Sequence, residues 1–484
     1  MWVASLLVLV MQNTATRRRV LGALGVGVAG LGGCVGDDSS MTEPENSNGG
    51  GSTDGGSTAT DGGSTGGGSS QTVTIGMLQP RSGDLKYYGD QALWGFLSGL
   101  AYKADADPPS DPGSGEVTMT VGDTEYRLLV RDTEFSADTA QTAATNLVEN
   151  QDVDLLAGCT SSAVASRVIT TVVNQAQVPI MLGPAASADI TSNSETCSDL
   201  VYRSSENTAM DARSGGKYVA RETDVSSVYL FGADYSFGRA VVNNYRSVLE
   251  AEGVDIVGER FVEQGYAEWD GLLENAEQAG AEGVVGGFTV ATLPAMFNAF
   301  LSGDYSYRVF GGLATRITNS VVGGTMQSVL GEPLTAEKIQ QSKLGPFTTR
   351  YHWNQYDNPI NDAFVESYTG TYGVVPDLFT AGTFTGASAI HQAVQESGST
   401  AGADVADSLK GMTVTDTPKG EGGYTFQEYN NQARSAMTVA DLTPTTDEWA
   451  DNWGAAVMPS QPLARIAPDE TTIPADSDQM GCSL

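Results

Sequence analysis

From Val73 onward the chain alternates short apolar runs with helix-length amphipathic runs, and it does so twice. Strands separated by single helices pair in parallel and leave helices on both faces of a sheet. Val73 to Leu78 reads as a buried strand. Gly89 to Lys103 reads as a helix with Leu93, Trp94, Phe96, Leu97 and Leu100 apolar. Tyr126 to Val130, Asp154 to Ala157 and Val178 to Leu182 are the next strands. Helices Asp138 to Asn150 and Ser162 to Gln175 lie between them; the first carries Ala140, Ala143, Ala144, Leu147 and Val148 on one stripe. After Arg203 the rhythm restarts. Strands Ser227 to Phe231, Asp255 to Phe261, Gly283 to Phe288 and Tyr307 to Phe310 alternate with helices Asp211 to Glu222, Gly238 to Ala251, Gly271 to Ala279 and Leu293 to Leu301. The expected class is therefore α/β, with two doubly wound Rossmann-like lobes. Helices Asn361 to Tyr372 and Gly382 to Glu396 add to one lobe or the other. Gly423 to Leu442 reads as β-rich. From about Pro459 the chain is rich in Pro and Asp and reads as poorly ordered.

Ahead of the alternation stand an address and a tether. Arg17, Arg18 and Arg19 precede an apolar run from Val20 to Gly33, about fourteen residues, too short to span a bilayer and right for a signal core. Arginine pairs before a Gly-rich core match a Tat export signal. The core ends Leu31-Gly32-Gly33-Cys34, which resembles a lipobox whose cysteine carries the lipid. The apolar stretch Met1 to Val10 does not suit an n-region, and Met11 gives a conventional start; a double hydrophobic leader is the alternative. Gly25, Gly27 and Gly30 spell a dinucleotide fingerprint, but no strand precedes them and no βαβ unit surrounds them, so the match carries no cofactor. Residues 35–70 are Gly, Ser, Thr and Asp with almost nothing apolar. They form a flexible tether with a reach of about 35 Å.

The chain carries 59 acidic and 25 basic residues, a formal charge of -34. That sign excludes a nucleic-acid surface and a polybasic membrane binder. It keeps copies apart in solution. Charge on this scale is tolerated where salt screens it, which points to high-salt surroundings; an ordinary acidic secreted protein is the alternative. Nothing in the sequence points to an enzyme: only His352 and His391 occur, with no nucleophile elbow and no His/Cys cluster at zinc spacing; an exported hydrolase with a triad assembled in space is the alternative. No cofactor is implied.

Ligands of open α/β sheets bind beyond the carboxyl ends of the strands. Here those turns are Gln79-Pro80-Arg81-Ser82-Gly83, Gly158-Cys159-Thr160-Ser161-Ser162 and Gly183-Pro184-Ala185-Ala186-Ser187. Hydroxyls and free amides opening a helix make an anion site; plain capping is the other reading of Thr160 and Ser161. These turns, with Tyr88-Gly89, Asp234-Tyr235-Ser236-Phe237-Gly238 and Phe384, occur in an order that resembles the leucine/isoleucine/valine-binding family, the type I periplasmic binding proteins, in their haloarchaeal lipoprotein form. The resemblance runs from Val73 to about Leu442. It implies two lobes joined by crossovers and closing on a hinge: 72–204 with 346–420, and 205–345 with 421–447, followed by a tail at 448–484. It also implies a solute-binding component of an ABC importer, outside the cell, held to the membrane by the lipid on Cys34. Its partners would be permease and ATPase subunits and a small polar solute such as an amino acid, an amide or a urea-like compound. A sensory binding protein feeding a membrane transducer shares the same fold.

Carried over by residue, Thr160 and Ser161 would hold a ligand carboxylate. Ala185 would offer backbone groups and Ser187 a hydroxyl to the ammonium. Ser82 and Tyr88 would line the first lobe, while Phe237, Phe288 and Phe384 would cover the ligand. Amino-acid binders of the family place an acid after the strand equivalent to Tyr307 to Phe310, where this chain reads Gly311-Gly312-Leu313-Ala314-Thr315-Arg316. A desolvated ammonium needs a counter-charge. So Asp234 substitutes for the missing acid, or the ligand is not a simple amino acid but an amide, a urea-like solute or a carboxylate. The family's cysteine at the third turn pairs with an earlier one, and none lies between Cys34 and Cys159. Cys159 with Cys197 is the candidate disulfide, Cys482 is unassigned, and free thiols throughout are the alternative.

Overall fold

The computed structural model describes residues 71–312 and 315–484. The leader, Cys34 and the tether expected at 1–70 lie outside them. Among the described residues no helix is long and apolar enough to cross a membrane.

The first sheet contains β1 (Gln71–Gln79), β2 (Gly115–Val121), β3 (Thr124–Asp132), β4 (Leu155–Gly158), β5 (Ile180–Leu182) and β6 (Val201–Arg203), ordered β2-β3-β1-β4-β5-β6. All pairs are parallel except the β2–β3 hairpin at one edge. The central strand β1 is apolar on both faces because helices cover both. Val73, Ile75 and Met77 pack with Leu93, Phe96 and Leu97 of the helix Lys86–Lys103. Leu78 packs on the other side with Ala140, Ala144 and Leu147 of the helix Ala137–Asn150. The helix Lys86–Lys103 also lies against the late helix Thr380–Ser397, closely enough that two glycines are required. A Cβ on Gly95 would stand 2.6 Å from the Thr380 carbonyl oxygen, and one on Gly99 would stand 2.4 Å from that of Phe384. The late helices therefore belong to the first lobe.

The second sheet is built from β7 (Ser227–Ala233), β8 (Asp255–Val262), β9 (Gly283–Gly287), β10 (Arg308–Gly312) and β11 (Leu344–Thr349). Next come β12 (Thr413–Val414), β13 (Tyr424–Phe426) and β14 (Ala433–Ser435), a small antiparallel sheet of its own. Then β15 (Met437–Ala440) joins the second sheet, β16 (Leu442–Pro444) pairs with β17 (Val457–Pro459), and β18 (Ala464–Ile466) pairs with β15. The second sheet runs β18-β15-β11-β10-β9-β7-β8, parallel except at β15 and β18. The protein thus has the two-lobed α/β fold of type I periplasmic binding proteins.

Three boundaries differ from the sequence expectation. Residues 346–349 close β11 and so belong to the second lobe. Residues 421–435 stay with the first, because Tyr424, Phe426 and Ala433 bury in the core around Val73. The tail at 448–484 is ordered: β18 extends the second sheet, and Ile473 packs on Ala188 and Ala209. Its composition builds no core of its own, so it borrows one already made. The chain crosses between lobes after β6, after β11 and between β14 and β15. Polar side chains bind these crossings together. Arg203 donates to Gln432 Oε1 (2.5 Å), to the carbonyls of Ala185 (3.1 Å) and Ser187 (2.6 Å), and to Thr191 (2.5 Å). Glu206 accepts from Lys419 (2.6 Å), Tyr424 (2.6 Å) and Ser435 (2.9 Å).

The disulfide expectation is corrected. Cys197 bonds Cys482, with Cα atoms 6.0 Å apart, and Cys159 is a free, buried thiol. The tail returns to the first lobe, where the Gly481 N–H donates to the Ser192 carbonyl (2.8 Å), and this brings Cys482 to Cys197. Cys159 instead packs its thiol among the apolar residues at the end of β4.

Candidate functional site

The strand order turns back on itself between β1 and β4 in the first sheet, and between β7 and β9 in the second. Chains leave these switch points in opposite directions and open a crevice at the carboxyl ends. A cavity of about 130 Å³ lies there, lined from both lobes. The first lobe contributes Tyr88, Phe135, Thr160, Ser162, Pro184, Ala186 and Phe379. The second contributes Tyr235, Phe237 and Tyr245 after β7, Gly287, Phe288 and Thr289 at the end of β9, Phe297, Phe310, Thr315 and Thr348. Asp211 and Arg350, from the first two crossings, complete the wall.

The lobes touch across this cavity. The Val290 N–H of the second lobe donates to the Tyr88 hydroxyl at 2.7 Å, and the Tyr88 ring sits edge-on to Phe379 at 4.9 Å. Beside the cavity, Asp377 of the first lobe is fully buried. It accepts from the Tyr87 hydroxyl (2.6 Å), from the Arg316 N–H of the second lobe (2.8 Å) and from the Leu378 N–H (2.7 Å). Burial raises its carboxyl above the ordinary range, and these donors oppose that shift. The geometry is that of a closed cleft.

The polar groups on the wall differ in what they leave free. Thr160 spends its hydroxyl proton on Gln79 Oε1 at 2.6 Å, so it offers lone pairs only. Ser162 accepts from the Ser187 N–H at 3.0 Å and keeps its own proton. Asp211 is held bidentately by Arg350, whose Nε lies 3.0 Å from Oδ1 while Nη2 meets Oδ2. The Tyr245 hydroxyl is buried and meets no hydrogen-bond partner among the described residues. Burial, and then the Asp211 charge, raise its phenol above the usual range.

Of the residues expected from sequence, Tyr88, Thr160, Phe237 and Phe288 line the cavity. The others lie elsewhere. Ser82 is exposed beside Asp132. Ser161 is buried at the start of the helix Ser162–Val168, off the cavity wall. Ala185 and Ser187 turn their carbonyls to Arg203, and the Ser187 hydroxyl bonds Asp189 at 3.2 Å. Asp234 is corrected outright: its side chain is 52% exposed and pairs with Arg239 at the surface. Phe384 is likewise corrected, since it packs in the first-lobe core against Phe364 at 4.9 Å, one turn past Phe379. Arg316 also lies off the cavity wall, its guanidinium 5.3 Å from the Tyr87 ring centroid. Sequence reasoning missed Arg350, Asp211, Tyr245 and Phe379. Tyr235 was in view within Asp-Tyr-Ser-Phe-Gly, and Phe379 stands five residues from Phe384.

The sequence profile described as periplasmic binding protein matches residues 72–447. No curated protein matches the chain in sequence. Solved structures resemble it closely in fold. An ABC-type branched-chain amino acid transporter protein from Rhodopseudomonas palustris is 20% identical with a TM-score of 0.64, over 83% of this chain and 98% of that one. A leucine binding protein from Thermotoga maritima is 17% identical at 0.64, over 82% and 99%. An ABC transporter solute binding protein from Rhodopseudomonas palustris, in complex with 4-hydroxybenzoate, is 15% identical at 0.63, over 82% and 98%.

Proposed function

The chain belongs to the periplasmic binding proteins, a family of non-enzymatic solute binders, and from that premise we propose that it is the solute-binding component of an ABC importer. The observation that carries this reading is the cavity shared by two lobes and closed by the Val290 to Tyr88 bond. A solute enters the open cleft, contacts one lobe, and favours closure only through what it touches on the other. The closed shape is what permease and ATPase subunits would read. The similar structures named for leucine binding and solved with 4-hydroxybenzoate bracket the solutes to be tried, alongside amides and urea-like compounds.

The setting we propose is the outer face of the cell membrane of a haloarchaeon. Arg17 to Arg19 would direct Tat export, Cys34 would carry the lipid, and residues 35–70 would hold the lobes off the membrane. A single acyl chain binds only marginally, so the anchor would carry more than one. The charge of -34 supports a high-salt environment.

Calorimetry and thermal-shift screening in concentrated salt, against amino acids, amides and carboxylates, test the binding role. One solute bound per chain without turnover is the expected result. Silence across the panel, together with hydrolytic activity, would refute it.

A further inference from the structure

The cavity is aromatic and poor in charge. Among the described residues lining it, Asp211 is the sole carboxylate and Arg350 the sole cation, and they hold one another. An α-amino acid buried here would bring an ammonium with no free counter-charge, set beside a guanidinium. That arrangement is costly.

The charge behind the wall has the opposite preference. Arg203, the Lys419 side chain and the largely covered Arg350 (side chain 11% exposed) stand at the crossings against two buried carboxylates, Asp211 and Glu206. Arg203 is 0% exposed and spends its donors on neutral acceptors, two of them the carbonyls of Ala185 and Ser187, on the turn whose Pro184 and Ala186 face the cavity. At the crossings themselves the cations thus outnumber the carboxylates by one, while Asp377, on the other side of the cavity, is turned off the wall toward Tyr87 and the Arg316 N–H. Two donors are available to receive an anionic guest: the Tyr245 hydroxyl, 1% exposed and unpartnered, and Nη1 of Arg350, which makes no hydrogen bond among the described residues. Thr160, by contrast, presents lone pairs, the wrong polarity for a carboxylate.

We propose that the cleft selects a small carboxylate without an ammonium group, an aryl or branched-alkyl acid, and that Arg350 and Tyr245 receive its carboxylate. This inference rests on the binding role proposed above. The apolar body of the guest lies among Tyr88, Phe237, Phe288 and Phe379, whose faces and edges suit a flat or branched hydrocarbon. The Ser162 hydroxyl is left to donate to a hydroxyl or carbonyl elsewhere on the guest.

The test pairs each acid with its amino acid and its amine: 4-methylvalerate with leucine and isoamylamine, 3-phenylpropionate with phenylalanine and phenethylamine. The whole protein is titrated with each in concentrated potassium chloride. At least one acid should bind at least about tenfold more tightly than its amino acid, and the amines should give no binding heat. Tyr245→Phe should weaken the acid about tenfold with melting unchanged, while Ser82→Ala, exposed and off the cavity wall, should stay within about twofold. An amino acid that binds as tightly as its acid would overturn the proposal and leave the binding role standing. Undiminished binding of the acid by Tyr245→Phe would overturn the anchoring assignment. Silence from every acid, amino acid and amide would overturn the binding role itself.

Discussion

Replacing Cys482 by Ser, or Cys197 by Ser, tests how the tail is fastened. The bond joins residues 285 positions apart. In the chain-entropy model a loop of that length restricts the unfolded ensemble by about 5 to 6 kcal/mol, an upper bound that native relaxation reduces. A Cys159–Cys197 bond would close only about forty residues and contribute about 4 kcal/mol. In the folded state the Cys482→Ser tail keeps its other ties: the Gly481 N–H on Ser192 (2.8 Å), the Leu484 N–H on Tyr429 (3.1 Å) and the Tyr429 hydroxyl on Ile473 (2.8 Å). The effect should therefore act through the unfolded chain. Denaturant unfolding in high salt should show equal losses for the two variants, of several kcal/mol, while Cys159→Ser leaves the cross-link intact. Alkylation reads the connectivity directly. The native Cys159 thiol, buried and pushed up to about 12, should resist iodoacetamide. After unfolding without reductant it should label, while the peptides containing Cys197 and Cys482 remain joined. A joined peptide pair containing Cys159 and Cys197, with label on Cys482, would refute the reasoning.

Tyr88→Phe removes the only side-chain acceptor shown for the Val290 N–H across the cleft. Leaving that donor unmet costs about 1 to 3 kcal/mol in the closed state, so solute affinity should fall roughly 5- to 160-fold by calorimetry with the melting temperature of the free protein little changed. Phe237→Ala opens the aromatic wall at a half-buried position and should weaken binding about tenfold or more without unfolding; collapse of the fold would instead mark Phe237 as core. His352 is 0% exposed with both ring nitrogens unpartnered, and burial pushes its pKa down to about 3. Because the folded value is depressed, stability is complete above the unfolded value near 6.5. Below it the unfolded chain takes up a proton that the folded one refuses. Wild type should therefore lose about 2 kcal/mol relative to His352→Phe between pH 7 and pH 5, read from urea midpoints. Parallel pH profiles for the two proteins would show the ring is not desolvated.

What the sequence disclosed follows from what local patterns encode. Buried parallel strands such as β1 and β7 are apolar on both faces, and the helices between them carry stripes, so the two-lobed fold was legible from periodicity. The turns after β4, β5 and β7 were legible too, because ligands of such sheets gather at carboxyl ends. Their individual side chains were less so: Thr160 reaches the wall while Ser161, its neighbour, does not. Strand β11, Leu-Gly-Pro-Phe-Thr-Thr, carries glycine and proline that mask a strand signal. With β11 unseen, the crossing that follows it and carries Arg350 went unmarked, and the residue fell out of consideration. The tail misled for a related reason, since its order comes from β15 and from Cys197, both far away in the chain.

The cleft's polarity was hidden for the same physical cause. Asp211 and Arg350 are 139 residues apart, on two crossings, and neither stands in a motif. An acid was sought where a family pattern put it, after β10, although a crossing can place charge at the same cleft from a different part of the chain. The two scales of charge then need separate treatment. A surface at -34 would repel an anion in dilute buffer, yet at about 1 M salt the Debye length is only ~3 Å. Exposed carboxylates beyond the rim are then silent inside the cleft, while Arg350 and Tyr245, within hydrogen-bonding reach of a guest, are not screened. In the high-salt setting proposed above, the salt that would keep this acidic chain compact would also let it receive an acidic solute.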